Sequence, residues 1–128
     1  MAPAATRAAV DRYVAALNGH DADTIAAAVT DDFVNEHTSA QGVSRLGRAA
    51  YRDALDGFLA RFRDLHYEVE DTLVEGNRAA VAYRLTAMVD GRPLSIRGVF
   101  RLWVRDGQVA HRVDYWDGAE AARQIGDP

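Results

Sequence analysis

The stretch LSIRGVFRLWVRDGQVAHRVDYWDG, residues 94–118, decides how this chain folds. Its first half alternates apolar and polar residues, and this period of two predicts a β-strand with one buried face. A turn signal at 105–107 and a second run rich in β-branched and aromatic residues then predict an antiparallel hairpin. We expect the apolar face of the first strand to carry Leu94, Ile96, Gly98, Phe100 and Leu102.

The sequence that precedes this hairpin predicts the rest of the architecture. Turn signals at 75–77 and 89–91 divide the chain from His66 onward into a meander of four strands. The residues before His66 follow a helical spacing, with one short strand between helices. Helices followed by antiparallel strands predict a single α+β domain over 1–128. The predicted early elements are a helix over Thr6–Leu17 with Thr6 as candidate N-cap, a helix within 22–30 capped by Asp21 or Asp23, a strand over 33–37 and a third helix over 48–64.

Composition excludes several kinds of chemistry. The chain has 128 residues, 48% of them apolar and 27% charged, which is typical of one globular domain. It contains no cysteine, and all 15 basic residues are arginine, so thiolate sites and lysine Schiff bases are excluded. A net charge of −4 argues against binding to nucleic acid or anionic lipid. Because the sequence shows neither a leader pattern nor a membrane span, we predict a cytoplasmic protein.

Several phrases follow one another along the chain: RYVAALNGHD (12–21), TDDFVNEH (30–37), GRAAYRDAL (47–55), VEDTLVEGNRAAVAYRLT (69–86), VDGRP (89–93) and HRVDYWD (111–117). In this order they resemble the SnoaL-like and ketosteroid isomerase-like proteins of the nuclear transport factor 2-like superfamily. The similarity runs from about Val10 to Gly118. It implies a cone-shaped curved antiparallel sheet whose concave side is closed by three N-terminal helices around an apolar pocket. The superfamily includes isomerases, aldol cyclases, dehydratases, epoxide hydrolases and members without catalysis, so the fold alone does not give the function.

The resemblance suggests two catalytic residues in the first half of the chain. Tyr13 matches the tyrosine that donates a hydrogen bond to the developing oxyanion in the isomerases; alternatively it belongs only to the apolar stripe of the first helix. His37 falls where the isomerases carry their general base, and an imidazole can do that work; alternatively it only bonds backbone. Glu36 should face solvent. Phe100 replaces the second oxyanion donor, a departure that argues against steroid isomerisation.

Asp114 matches the catalytic acid on the last strand of SnoaL-like cyclases and limonene-type epoxide hydrolases. If it points into the cone, Arg112 and Trp116 point there too, because strand side chains alternate. A carboxyl group buried among apolar side chains resists ionisation, which makes it a usable acid near neutral pH.

The register of the last strand has two solutions. A two-residue Asp-Gly turn would direct Val109, Val113 and Tyr115 inward, whereas a three-residue turn would set Asp114 opposite Gly98. The resemblance favours the second.

The remaining predictions concern the walls and the outer face. The sheet should supply Tyr83, Leu85, Leu94 and Ile96 to the pocket, and the third helix Phe58 and Phe62. An outer stripe of Arg84, Arg97, Arg101 and Arg105, interrupted by Val99 and Trp103, suggests a homodimer through that face. The histidines His20, His37, His66 and His111 lack metal-ligand spacing, and no phosphate-loop or cofactor motif is present, so we predict no metal and no cofactor.

The leading hypothesis is a cofactor-independent acid/base enzyme acting on a small hydrophobic carbonyl or cyclic compound. His37 would be the base, Asp114 the acid or base partner, Tyr13 an oxyanion donor and Arg112 a charge or orientation aid. One alternative is a protein that binds a hydrophobic molecule without transforming it, and another is a dimeric scaffold with a filled cone. Epoxide hydrolysis ranks lower, because Leu85 and Thr86 occupy the region expected to hold its second carboxylate.

Overall fold

A computed structural model describes residues 2–126, which form four helices and six strands. The first two helices and the third lie before the meander, as predicted, and a fourth follows it. In chain order the elements are α1 (Pro3–Gly19), α2 (Ala22–Ala27), β1 (Val29–His37), β2 (Arg45–Leu46), α3 (Arg48–Arg61), β3 (Phe62–Glu75), β4 (Arg78–Val89), β5 (Arg92–Arg105), β6 (Gln108–Trp116) and α4 (Gly118–Ile125).

The six strands form one curved, unclosed sheet in the order β2-β1-β6-β5-β4-β3. The meander β3 to β6 is antiparallel, as predicted. One pairing in the sheet is parallel, that of β1 with β6. This pairing is possible because α3 and the meander separate the two strands in sequence, and such a long connection lets a chain return in the same direction.

Helix α1 packs its apolar stripe against the concave face of the sheet. Val10, Tyr13, Val14 and Leu17 are buried there, as the spacing predicted. The helix begins at Pro3 and not at Thr6, because proline suits the first turn of a helix. The Thr6 hydroxyl instead donates to the Gly76 carbonyl oxygen at 2.7 Å, which ties the helix to the β3–β4 turn. The predicted cap of α2 is Asp21, whose carboxylate accepts from two backbone N–H groups.

The β5–β6 hairpin has one feature of each register that was predicted for it, the two-residue turn of the first and the inward-facing Asp114 of the second. Its turn has two residues, Asp106 and Gly107, both with positive φ, as in a type I′ turn. That turn alone would send Asp114 to the outer face. However, the register shifts at Ala110, an extra residue on β6, and this bulge reverses every later side chain. Asp114 therefore faces inward, but opposite Phe100 and not opposite Gly98 as predicted.

Helix α4 is a fourth helix that the sequence did not predict. Asp117 caps it, its carboxylate accepting from the Glu120 N–H at 3.0 Å. Gln124 then binds the backbone of Ser95 on β5 twice, donating to its carbonyl oxygen and accepting from its N–H. The helix has eight residues and Ile125 is its one large apolar side chain, so its apolar face was too short to be recognised in the sequence.

Candidate active site

A cavity of about 480 Å³ lies between the concave face of the sheet and helices α3 and α4. All eight residues expected to line a pocket lie on its wall, and the rings of Phe58 and Phe62 stack there at a centroid distance of 4.7 Å. The open cavity argues against the scaffold with a filled cone. The eight are Phe58, Phe62, Tyr83, Leu85, Leu94, Ile96, Arg112 and Trp116.

The parallel pairing of β1 and β6 places four polar residues at one end of this cavity. Asn35 is the register partner of Arg112, and His37 is the partner of Asp114. Because residues two apart on a strand share a face, all four side chains point to the cavity, which they help to line. Glu36 lies between them in sequence and is exposed, as predicted.

Asp114 is 3% exposed and bonded on both carboxylate oxygens. Its Oδ1 accepts from the Tyr83 hydroxyl at 2.6 Å, and its Oδ2 accepts from Arg112 Nη2 at 2.9 Å. The sequence suggested an acid in apolar surroundings. The structure corrects this, because a guanidinium pairs with the carboxylate. A carboxylate in such a pair suits the role of a base, and each of its oxygens still has a free lone pair.

Arg112 is fixed on several sides. Its Nη1 donates to the Tyr13 hydroxyl at 2.7 Å, and its guanidinium lies over the Phe100 ring at 4.3 Å from the centroid. Phe100 therefore supports the cation at the place where the isomerases carry a second acid. Within residues 2–126, Arg112 Nε and Asn35 Oδ1 are buried without a hydrogen-bond partner.

Tyr13 does not reach the cavity, contrary to the prediction. It is fully buried behind the wall, and its hydroxyl is shared between Arg112 and the Tyr51 hydroxyl, 2.6 Å away. Tyr51 and Tyr67 are the phenols that join Tyr83 on the wall. Burial raises the pKa values of Tyr51 and Tyr67, so both hydroxyls stay protonated.

The sequence analysis also missed Asn35, although one signal was available. Asn35 stands two residues before His37 on a predicted strand and so had to share its face. Tyr51 belonged to the apolar stripe of the third helix, which gave it no separate signal.

His37 is held as a neutral imidazole. The Trp116 indole Nε1–H donates to His37 Nδ1 at 3.0 Å, and the same nitrogen is 3.7 Å from Asp114 Oδ2. Burial and the Arg112 charge lower the pKa of His37 to about 4, against the opposing effect of Asp114. His37 is therefore uncharged near neutral pH.

Gly98 allows Tyr83 to reach Asp114 across the intervening strand. Tyr83 lies on β4 and Asp114 on β6, and Gly98 on β5 is the register partner of Tyr83. A Cβ at Gly98 would stand 2.4 Å from the Tyr83 hydroxyl oxygen, closer than real contacts allow. The absence of a side chain is what leaves room for the phenol.

The described residues limit other chemistries. Asp114 is the sole carboxylate on the cavity wall within residues 2–126, and Leu85 lines the wall where epoxide hydrolysis would need another. Nowhere in this part of the chain do three or more potential metal-ligating side chains gather. None of the four described helices is both long and apolar enough to cross a membrane.

Comparisons with solved structures show the same fold elsewhere. A candidate SnoaL-like polyketide cyclase from Jannaschia sp. CCS1 matches with a TM-score of 0.84 at 21% identity, over 98% of this chain and 94% of that one. A candidate ketosteroid isomerase from Kribbella flavida DSM 17836 matches with a TM-score of 0.74 at 29% identity, over 90% and 79%. An LEH-like epoxide hydrolase from M. tuberculosis matches with a TM-score of 0.84 at 19% identity, over 96% and 90%.

The sequence itself carries the family assignment. No curated protein sequence matches the chain. The sequence profile of the SnoaL-like domain, however, matches residues 10–112, which is most of the chain. The protein therefore belongs to the SnoaL-like family, within the nuclear transport factor 2-like superfamily.

Proposed function

We propose that this protein is a cofactor-independent acid/base enzyme, of the isomerase, cyclase or lyase type. Its substrate would be a small, mostly apolar carbonyl or cyclic compound bound in the cavity. The observation that carries this proposal is the Asp114 carboxylate, buried at the cavity wall and held by Tyr83 and Arg112.

A buried ion pair is a poor way to stabilise a fold. Removing two charges from water costs about as much as their attraction returns, and apolar residues of similar size often serve stability better. The Arg112–Asp114 pair nevertheless lies where a ligand would bind, with both side chains 5% exposed. Charged groups that cost stability and line a cavity are candidates for chemistry.

The chemical step needs only this carboxylate and a carbonyl substrate. Asp114 removes a proton from the carbon next to the carbonyl, and the electron pair of that C–H bond moves onto the carbonyl oxygen to give an enolate. The carboxyl group then returns the proton to another carbon, which isomerises the substrate. Alternatively, the enolate carbon attacks a second carbonyl carbon and closes a ring, and the alkoxide formed there takes the proton back from the Asp114 carboxyl group. Arg112 orients the carboxylate throughout, and the apolar wall excludes water that would weaken the base.

Deuterium exchange tests this proposal without knowledge of the natural substrate. We would incubate the protein in D₂O with a panel of cyclic ketones and follow loss of the α-proton signals by NMR. We expect exchange with the wild type and a loss of about 10²-fold or more in Asp114→Asn, as for removal of a general base. Asp71→Asn, which changes an exposed carboxylate on β3 away from the cavity wall, is the matched control, and thermal unfolding verifies that each variant folds. Equal exchange rates in wild type and Asp114→Asn would refute the role of Asp114.

A ligand-binding protein without catalysis is the second candidate. It is favoured by the continuous chain of hydrogen bonds from Tyr83 through Asp114 and Arg112 to Tyr13, which holds these side chains in place without a substrate. Such a protein would broaden the ligand signals in the same experiment and leave the α-protons unexchanged. Epoxide hydrolysis ranks behind both, because it needs a second carboxylate on the wall.

We also propose a homodimer through the outer face of the sheet. Val99 and Tyr115 are register partners there and are 36% and 40% exposed, and the Arg101 guanidinium lies over the Tyr115 and Trp103 rings. Light scattering would measure the mass in solution, and a monomer at all concentrations would refute the dimer. A cytoplasmic location stays a prediction.

A further inference from the structure

We propose that His37 acts as a neutral hydrogen-bond donor, through Nε2–H, to the substrate oxygen on which negative charge develops. This role replaces the one predicted for it, that of general base. The inference rests on the proposed function for its chemistry, but the protonation of His37 can be measured without any substrate.

The hydrogen bond from Trp116 determines which ring nitrogen of His37 carries the proton. An indole nitrogen can only donate. Because Trp116 Nε1 lies 3.0 Å from His37 Nδ1, that Nδ1 must be the accepting, unprotonated nitrogen. A neutral imidazole then holds its single proton on Nε2. Neither nitrogen can accept a proton from a substrate in this state, since one lone pair is occupied and the other nitrogen is already protonated.

The surroundings of His37 keep the ring neutral. Asp114 on β6 is 3.7 Å from Nδ1 and favours the imidazolium, whereas Arg112 on the same strand and Arg45 on β2 oppose it. Burial opposes the charge as well. The two cations and the loss of solvent therefore outweigh the single anion.

The Nε2–H group is available to a ligand. Within residues 2–126, His37 Nε2 makes no hydrogen bond. The side-chain polar atoms there that are both buried and without a partner belong to Asn35 and Arg112, so Nε2 is accessible. His37 forms part of the cavity wall beside its register partner Asp114. A carbonyl compound can thus place its α-carbon at Asp114 and its oxygen at His37.

His37 supplies the hydrogen-bond donor to the substrate oxygen that Phe100 and Tyr13 cannot supply. Phe100 has no hydrogen to donate, and the Tyr13 hydroxyl is enclosed behind the wall. When Asp114 takes the α-proton, the electron pair reaches the carbonyl oxygen, and Nε2–H donates to that oxygen without giving up its proton. Preorganised neutral donors of this kind lower the barrier without any change of charge on the protein.

Two-bond ¹H–¹⁵N NMR of the free protein tests the tautomer directly. We expect a protonated Nε2 and an unprotonated Nδ1 from pH 5.5 to 8. Trp116→Phe, which removes the donor, should produce a mixture of tautomers, and Tyr115→Phe should leave the wild-type pattern. A proton on Nδ1, or an imidazolium at pH 7, would overturn the proposal.

Two substitutions of His37 then separate a donor from a base in the deuterium-exchange assay. His37→Gln keeps an N–H donor at similar reach but cannot act as a base, so we expect it to remain within about tenfold of the wild type. His37→Ala removes the donor and should lose about 10²-fold or more. Equal losses in the two variants would refute the donor role. Absence of exchange in the wild type would refute the proposed function, and the NMR result would still determine the tautomer of His37.

Discussion

The neutral state of His37 predicts a stability that falls in mild acid. The pKa of His37 is lowered from 6.5 to about 4 in the folded protein, chiefly by burial. Between these values the unfolded chain binds a proton that the folded protein does not bind. The free energy of unfolding therefore rises with pH through this window. The contribution of the neutral His37 is fully present above about pH 7 and is lost as the pH falls toward 4.

The size of the effect follows from the gap between the two pKa values. A gap of about 2.5 pKa units corresponds to a loss of about 3 kcal/mol in the free energy of unfolding once His37 is protonated in both the folded and the unfolded protein. At pH 4.5 the loss is incomplete, and the His37 side chain retains 17% exposure, so we expect about 2 kcal/mol relative to pH 8.

Urea unfolding at pH 4.5 and pH 8 measures this loss, with His37→Gln as the comparison. Other groups titrate in the same range, but they are common to both proteins, so the difference between the two pH dependences isolates His37. The exposed His66 supplies a control, because His66→Gln should lose as much stability in acid as the wild type does. If the wild type and His37→Gln lost equal stability, the buried neutral imidazole would be refuted.

Substitutions at Gly98 and Arg112, each with a comparison variant, test the packing and the charge pairing around the carboxylate. Gly98→Ala should destabilise the fold by about 1–3 kcal/mol in urea unfolding, because its Cβ would meet the Tyr83 hydroxyl oxygen at 2.4 Å. Gly57→Ala, on α3 with nothing within 4 Å, should be neutral or stabilising, and equal losses in the two variants would contradict the steric argument. Arg112→Met should cost about 3–5 kcal/mol by leaving a buried charge unpaired, and Arg112→Met with Asp114→Leu should recover part of it. Strictly additive losses in that double variant would show that the two charges are not coupled.

Much of the candidate site could be anticipated from period-two spacing and family resemblance together. The walls formed by Leu85, Leu94 and Ile96 follow from alternation on strands whose faces were evident. Asp114 was recognised by its match to the catalytic acid of SnoaL-like cyclases, and an acid buried in an apolar strand is costly unless it has a partner or a task. Its partners Tyr83 and Arg112 were both named as pocket residues, but the bond from Tyr83 on β4 crosses β5 to reach Asp114 on β6, and such a contact has no signature in the sequence.

The sequence by itself determined the first three helices, the four strands of the meander, the order of these elements and the inward face of the central strands, because these depend on residues a few positions apart in the chain. The tertiary structure decided the rest of the site. The bulge at Ala110 turns Asp114 inward, the parallel pairing of β1 with β6 brings His37 beside it, and the wall encloses Tyr13. One inserted residue reverses every side chain that follows on a strand. The position of the inserted residue depends on the packing energy of the whole sheet. In that packing Arg112 bonds to α1 and Asp114 bonds to β4, and no local sequence pattern encodes these contacts.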